Sequence, residues 1–353
     1  MQSKFRFFRV PVLTFFTSTL ALATITIPAR ATQETLPPAP QIFAPGIVSG
    51  PANDGSPTFS KDGNTMFFSR SSVQTGGMIL ESHKKNGHWT RPALASFSGE
   101  WPDSSPELSP DGSYIVFQST RPISPFGNGE HPPEIHKVSN IYRADRVGDG
   151  WSKPKRLPDT VNIGKAIWKP SVDAAGNIYF VSIDDKGAKR LYSSRYQNGD
   201  YEQAQPLSFS DGTTLDVDPE IAPDGSFLVF CSAGRMPGNA KDHLYVVKKT
   251  ADGWGKVIPI RYAGDEKNGY STDDEPHLGP DHATIYFASD RAVPLAFPRT
   301  PQQAQQDFKQ LEHDGWFGVF ANVWSVPIAL WLHDAESANE EMKNKNKSIN
   351  TNS

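Results

Sequence analysis

Several features that mark common protein classes are scarce or missing in this chain. Among 353 residues there is one cysteine, Cys231, so an internal disulfide framework is excluded. The formal net charge is only −4, and the 35 basic and 39 acidic side chains are interspersed along the chain. The sequence therefore shows no basic region of the kind that binds nucleic acid. No nucleophile elbow, phosphate loop or Cys–His pairing occurs in a context that supports catalysis. Function therefore has to be inferred from the organisation of the chain.

The chain does contain one sequence motif that is repeated five times. In four copies an Asp lies three residues before a Pro, an apolar residue follows that Pro by two positions, and a turn leads to an apolar run containing Phe. The third copy has Ile in place of Asp. The copies are Asp54–Arg70, Asp103–Arg121, Ile167–Ile183, Asp216–Arg235 and Asp273–Arg291. Repetition at about fifty residues in strand-rich units is typical of a β-propeller.

Turn signals predict the strands within each repeat. An inner hairpin turns at Asp-Gly or a weaker variant of it, and an outer hairpin turns at Asn-Gly or Asp-Gly before an aromatic residue in the first four copies. The fifth copy lacks the outer turn, whereas the strand-like segment Ile42–Val48 precedes the first copy. We therefore predict an all-β fold, a five-bladed β-propeller of four-stranded antiparallel blades. Its N-terminal strand closes the ring by pairing with the strand that begins near Val323.

Charge and hydropathy at the ends predict the domain organisation. Basic residues precede the apolar stretch Val10–Ile27, and Ala29-Arg30-Ala31 then supplies a cleavage site. We expect a periplasmic or secreted monomer that has no membrane anchor in its mature form. The predicted divisions are a signal peptide at 1–31, a Pro-rich leader at 32–41, a single propeller domain at 42–334 and a disordered polar tail at 335–353.

The repeated motif resembles that of a known family. The pattern P-x-[FL]-S-x-D-G-x-x-[ILM]-x-F-x-S is clearest in Pro106–Ser119 and is similar to the TolB-like β-propeller repeat, which would cover about Asp54 to Val326. The resemblance implies the fold and says little about activity, because such propellers include protein binders, envelope-associated proteins and domains attached to hydrolases. TolB itself is usually described with six blades and a separate α/β domain. Its role in the Tol system is therefore not carried over.

Strand direction places one set of charged residues at a single opening of the channel, which we call the loop mouth. The longer loops Pro122–Ser139, Arg261–Ser271 and Ala292–Ala321 belong there too, with Trp316 as an aromatic contact. The charged candidates are Asp54 and Arg70, Asp103 and Arg121, Asp216 and Arg235, and Asp273 and Arg291. They could form a ring that binds an anion. Alternatively, each pair could be a structural ion pair, here called a staple, that ties the end of one strand to the start of another. The third copy has Ile167 and Asp184 instead, and this joint loss favours the staple.

The residue after each repeat Pro is the second candidate set. These residues alternate with apolar neighbours and should lie on a common side near the channel. They are Thr58, Glu107, Ser171, Glu220 and His277. Glu107, Glu220 and His277 could hold a divalent cation or act as acid and base, whereas the alternative is a solvated channel lining. No cofactor is otherwise predicted.

Two other segments carry weaker signals. His131, Glu134 and His136 lie in a Pro-interrupted loop without the helical frame of a zinc site, so incidental surface histidines are favoured. Pro301–Asp314 predicts a short helix, either a packed flap or a lid.

These observations favour an exported, non-catalytic binding or interaction protein. We expect a protein, a small molecule or a saccharide to bind at the loop mouth. The alternative is a hydrolase or lyase that acts on an extracellular oligosaccharide or another anionic substrate, using Glu107, Glu220 and His277 together with the arginines.

Overall fold

The chain folds around a ring of antiparallel sheets. The computed structural model describes residues 38–50, 52–72, 76–122, 139–236, 241–262, 271–291, 298–313 and 321–350. The predicted signal peptide and most of the predicted leader lie outside these residues. Within the described ranges, no helix has the length and apolar character needed to cross a membrane.

Each repeat forms one blade, and its first strand is innermost. The last blade is completed from the other end of the chain by β1 (Gln41–Ile42). Blade one contains β2 (Asn53–Phe59), β3 (Thr65–Ser72), β4 (Gly76–Lys85), β5 (His88–Trp89) and β6 (Ala93–Leu94). Blade two contains β7 (Asp103–Leu108), β8 (Tyr114–Ser119), β9 (Asn140–Val147), β10 (Gly150–Trp151) and β11 (Lys155–Arg156). Blade three contains β12 (Ile167–Val172), β13 (Ile178–Ile183), β14 (Lys189–Ser194), β15 (Tyr196–Gln197), β16 (Asp200–Tyr201) and β17 (Gln205–Pro206).

The remaining elements complete the ring and add two helices. Blade four contains β18 (Leu215–Ile221), β19 (Phe227–Ala233), β20 (His243–Thr250), β21 (Gly253–Trp254) and β22 (Ile258–Pro259). Blade five contains β23 (Asp273–Leu278), β24 (Thr284–Ser289) and β25 (Asn322–Pro327) beside β1, and the helices are α1 (Pro301–His313) and α2 (Ala329–Asn350). In each of the first four blades, the outermost strand follows the outer turn and pairs with the third strand of the blade. These pairs are β6 with β4, β11 with β9, β17 with β14 and β22 with β20. The predicted five-bladed fold is confirmed.

Ring closure by the N-terminal strand is also confirmed, with a shorter strand than predicted. Gln41 lies opposite Ser325 and Ile42 opposite Trp324, and the Phe43 amide donates to the Val323 carbonyl. The chain then turns away, because Ala44 has a φ of 41° and its carbonyl accepts bonds from later amides of the same turn. The seven-residue strand that the sequence predicts is therefore reduced to two paired residues and one further bond.

The second strand of each blade forms the core between neighbouring blades. The blade-four residues Leu228 and Phe230 pack in one cluster with Tyr179 and Val181 of blade three. Such strands are apolar on both faces because a neighbouring blade covers each face. The two-sided apolar pattern that the sequence shows in these strands is thus explained by packing.

The first strand of each blade carries a β-bulge at the residue before the repeat proline. Its register with the second strand shifts there in all five blades. The bulged residues have φ angles of 48° to 53° and are Ser56, Ser105, Lys169, Asp218 and Glu275. A bulge locally re-aims side chains, and here it gives each blade a second polar position next to the channel.

The predicted disordered tail is wrong where α2 extends through it. Trp331 and Ala335 are buried in the cluster that joins blades four and five, and the Asn339 side chain accepts a bond from the Lys256 amide. The polar composition after Ala335 concealed this helix, because its packing side chains are few and widely spaced. The predicted domain limit at 334 is therefore too short.

Candidate functional site

The predicted Asp and Arg candidates form four ion pairs within their own blades. Both partners of each pair lie at the loop-mouth end of the blade, between the start of the first strand and the end of the second. The nearest distances are 2.6 Å for Asp54–Arg70, 2.9 Å for Asp103–Arg121, 2.6 Å for Asp216–Arg235 and 3.0 Å for Asp273–Arg291. Blade three, with Ile167 and Asp184, has neither partner.

The arginines of these pairs also bind backbone. Arg121 and Arg235 donate to the carbonyls of Phe97 and Phe209, which lie in the loops leading into their blades. Burial raises the pKa of Asp54 to about 6 although the neighbouring Arg70 favours the charged form. These contacts are what the staple interpretation predicts, and a binding role for the six residues Asp103, Arg121, Asp216, Arg235, Asp273 and Arg291 stays a prediction.

Other loop-mouth candidates lie outside the described residues. These are Trp316 and the group His131, Glu134 and His136. The predicted helix beyond residue 300 is present as α1, and a reciprocal pair of bonds between Thr300 and Gln303 caps its start.

The residues after the repeat prolines form a buried ring that links the blades. Three of them accept a hydrogen bond from the backbone amide that follows the corresponding residue of the next blade. The bonds are Leu108 N to Thr58 Oγ1, Ile221 N to Ser171 Oγ and Leu278 N to Glu220 Oε1. The other two residues, Glu107 and His277, contact each other across the channel instead.

Glu107, Glu220 and His277 are brought together, as the shared strand position suggested. His277 Nδ1 lies 3.1 Å from Glu107 Oε2 and 3.6 Å from Glu220 Oε2. One possible ligand atom from each residue lies within 4.8 Å of the others, and all three side chains are buried. The second ring nitrogen, His277 Nε2, is buried and has no hydrogen-bond partner in the part of the chain that the structure describes. The three side chains could share a proton or hold a metal ion.

Burial sets the electrostatics of this group. It raises the pKa of Glu107 well above the usual range, and the neighbouring charge of Glu220 raises it further. The pKa of Glu220 is raised to about 7, again by burial, against the opposing effect of Lys169. Burial and the Lys169 charge together hold the pKa of His277 well below its usual value. Burial thus favours the neutral forms of Glu107 and His277, whereas Glu220, with a pKa of about 7, ionises close to neutral pH.

A second set of polar channel residues was missed by the sequence analysis. Lys169 is fully buried and donates to the Pro276 carbonyl at 3.2 Å. Ser56 donates to Glu275 at 2.7 Å, and Asp218 accepts from the Glu275 amide at 3.3 Å. All of these occupy the bulged position before proline. A polar residue there in every copy was the signal, but strict strand alternation does not predict two inward positions so close together.

A cavity of about 360 Å³ extends from the Glu107 and Glu220 side chains to the surface. Exposed residues of the inner hairpin turns form its rim, including Lys61, Ala174 and Pro280. We call this opening the turn mouth, because the inner hairpin turns form its rim. It lies at the opposite end of the channel from the loop mouth. The sequence analysis expected recognition at the loop mouth, whose longest loops lie largely outside the described residues.

Comparison with known proteins gives likenesses of fold. No protein-family model matches the chain, and no curated protein matches its sequence. Similar solved structures include a putative TolB from Agrobacterium tumefaciens, at 18% identity over 68% of this chain and 70% of that chain, with a TM-score of 0.45. TolB from Acinetobacter baumannii shows 15% identity over 78% of this chain and 54% of that chain, with a TM-score of 0.44. A gluconolactonase from Xanthomonas campestris shows 11% identity over 83% of this chain and 96% of that chain, with a TM-score of 0.42.

Proposed function

We propose that this protein is a non-catalytic binding protein whose channel takes up a small polar ligand, such as a saccharide, through the turn mouth. The cavity above Glu107 and Glu220 is the observation that supports this proposal. Its volume of about 360 Å³ lies within the range of small-molecule sites. We further propose that binding takes place outside the cytoplasm, in keeping with the signal peptide predicted at residues 1–31.

The cavity wall has the composition of a ligand site. Each blade contributes the apolar residue two positions after its repeat proline, and the two glutamates add polar groups below them. The apolar set is Phe59, Leu108, Val172, Ile221 and Leu278. Small-molecule sites commonly combine apolar walls with a few convergent polar groups. A carboxyl group with a pKa near 7, such as that of Glu220, can donate or accept a hydrogen bond to a ligand hydroxyl.

The same geometry gives little support to the alternative of an inverting glycoside hydrolase at these two glutamates. Inverting enzymes separate their two carboxyl groups by about 6.5–9.5 Å to leave room for a water molecule. Here ligand atoms of Glu107 and Glu220 approach within 4.8 Å, and His277 Nδ1 is close to both. Retaining enzymes have carboxyl groups only about 5–5.5 Å apart, so a retaining hydrolase stays the alternative to the binding function that we put forward.

A change at the cavity rim tests the proposal. Ala174 lines the cavity and also an adjoining hollow beside Tyr196, whereas the next residue, Ala175, is equally exposed but lines only that hollow. We expect a panel of neutral, amino and uronic-acid oligosaccharides, titrated calorimetrically into the full chain, to contain a ligand. Ala174→Trp should abolish its binding, and Ala175→Trp should leave it unchanged. An empty panel, or a ligand that binds Ala174→Trp normally, would contradict the proposal.

A further inference from the structure

We propose that Glu107, Glu220 and His277 hold a divalent cation in the channel. This inference goes beyond the proposed function, because the cation could bind whether or not a small molecule enters the turn mouth. The cation would bind at the cluster itself, independently of the cavity above it.

The geometry of the donor atoms supports a shared cation. Glu107, Glu220 and His277 come from three different blades, so no local turn or helix accounts for their meeting. Their ligand atoms nevertheless lie within 4.8 Å of one another. Two carboxylates and an imidazole around one point form a set that divalent metals bind in proteins.

The His277 ring gives support that is independent of the carboxylates. Its side chain is 1% exposed, and among the described residues its Nε2 atom has no hydrogen-bond partner. Buried polar atoms are nearly always bonded, so the ring has an unfilled ligand position, whereas its other nitrogen, Nδ1, faces the two glutamates.

The charge balance of the channel also favours a bound cation. Glu107, Glu220, Asp218 and Glu275 bring four carboxyl groups to its polar positions, and Lys169 brings one ammonium group. Burying uncompensated carboxylates is costly. A divalent ion would balance the charges of the two glutamates.

Lys169 is the main competing explanation. Its ammonium group favours the charged form of both Glu107 and Glu220, but its hydrogen bond goes to the Pro276 carbonyl. One ammonium group cannot balance all four carboxyl groups. If it repels the ion from the cluster, Lys169→Gln should bind a cation more tightly than the wild type.

The donor set also indicates the class of metal. Ca²⁺ and Mg²⁺ prefer oxygen ligands, whereas an imidazole nitrogen beside carboxylates suits Zn²⁺ or Mn²⁺. We therefore expect one Zn²⁺ or Mn²⁺ ion per chain and weaker binding of Ca²⁺.

Calorimetric titration of the full-length, chelator-stripped protein with Zn²⁺, Mn²⁺ and Ca²⁺ tests the site, without any saccharide present. Glu107→Gln and Glu220→Gln keep the size of the side chain, and each should weaken Zn²⁺ or Mn²⁺ binding by at least about a hundredfold, since even groups that only orient ligands contribute ten- to hundredfold. Glu275→Gln is the matched control. It removes a carboxyl group from the other polar layer of the same channel and should change affinity less than about threefold.

Two outcomes would overturn the inference. One is the lack of stoichiometric Zn²⁺ or Mn²⁺ binding by the wild type. The other is an equal loss of affinity in Glu107→Gln and Glu275→Gln, which would indicate a general attraction to negative charge. His277→Gln should also lose binding, and circular dichroism would show whether that variant folds. If that variant does not fold, Glu107→Gln and Glu220→Gln still decide the question. Because saccharides are absent, failure of the cation site and failure of small-ligand binding are separately visible.

Discussion

At the scale of single residues, the ion pairs of the blades combine charge and packing. The Asp103 side chain is fully buried, and Arg121 is 10% exposed while its guanidinium group lies over the rings of Phe117 and Tyr142. Arg121→Ala would leave a buried carboxylate without its partner. We expect a loss of about 3–5 kcal/mol in the free energy of unfolding, measured by urea denaturation.

A double-mutant cycle separates pairing from packing. The combined change Asp103→Ala with Arg121→Ala should cost clearly less than the sum of the two single changes. The control is Arg156 with Asp159, whose carboxylate is 89% exposed, and breaking that pair should cost at most about 1 kcal/mol. Strict additivity at Asp103 and Arg121 would remove the staple interpretation.

Glu220 provides a pH-dependent prediction at the same scale. Its pKa is raised from 4.5 to about 7, so between these pH values the folded state keeps a proton that the unfolded state has lost. This group therefore lowers stability progressively as the pH rises through that window. Relative to the wild type, Glu220→Gln should gain up to about 3 kcal/mol on going from pH 5 to pH 8, since each pKa unit corresponds to about 1.4 kcal/mol.

The comparison between variant and wild type, made with chelator present, removes the contributions of channel groups that do not sense Glu220. It does not remove that of Glu107, whose pKa the Glu220 charge raises. Lys169, Glu107, Asp218, Glu275 and His277 face the same channel, and His277 acts in the opposite direction. Its lowered pKa destabilises the folded state as the pH falls below about 6.5. Urea midpoints across the pH range would test this prediction, and a pH-independent difference between Glu220→Gln and the wild type would contradict it.

At the scale of elements, α2 is held by a few buried side chains. The ring centroids of Trp331 and Tyr262 lie 5.8 Å apart in an edge-to-face contact, and the Tyr262 ring stacks on Phe287 of blade five. Trp331→Ala should therefore lower the unfolding free energy by about 3–5 kcal/mol in thermal or urea unfolding. The exposed neighbour His333 is the control, and its change to Ala should stay within about 0.5 kcal/mol. Equal effects at both positions would mean that α2 is not docked.

Sequence reasoning succeeded where local chemistry determines the structure and failed where distant contacts do. The hairpins follow from Asn-Gly and Asp-Gly turns, and the meeting of Glu107, Glu220 and His277 follows from their shared place in the repeat. The helix beyond Ala335 is stabilised by packing on another blade, which a polar composition does not reveal. The channel position of Lys169 depends on a left-handed residue before proline, a site where extended backbone is the usual expectation.

At the scale of the whole molecule, stability depends on the joining of the two chain ends. Deleting Gln41–Ser49 removes the strand pairing with β25 and the Ser49 bond to the Val323 carbonyl, and it exposes a sheet edge. We expect a lower melting temperature and a broader transition by calorimetry. Conversely, Gln41→Cys with Ser325→Cys places two thiols at directly opposed positions, and their oxidation should raise the melting temperature. Closure would be unimportant if neither change altered the transition.

Blade five, unlike the other four blades, is assembled from distant parts of the chain, and this affects how the molecule reaches its fold. Its first three strands are contributed by the last repeat, whereas the contact between Gln41 and Ser325 spans 284 positions in sequence. Contacts between such distant residues form slowly because a long loop must close first. Until that step, β25 has an unpaired edge. Because every molecule has the same β1, the β1 strand of a second molecule can pair with this edge instead. Refolding at high protein concentration should therefore yield strand-exchanged dimers, whereas dilute refolding should yield closed monomeric rings.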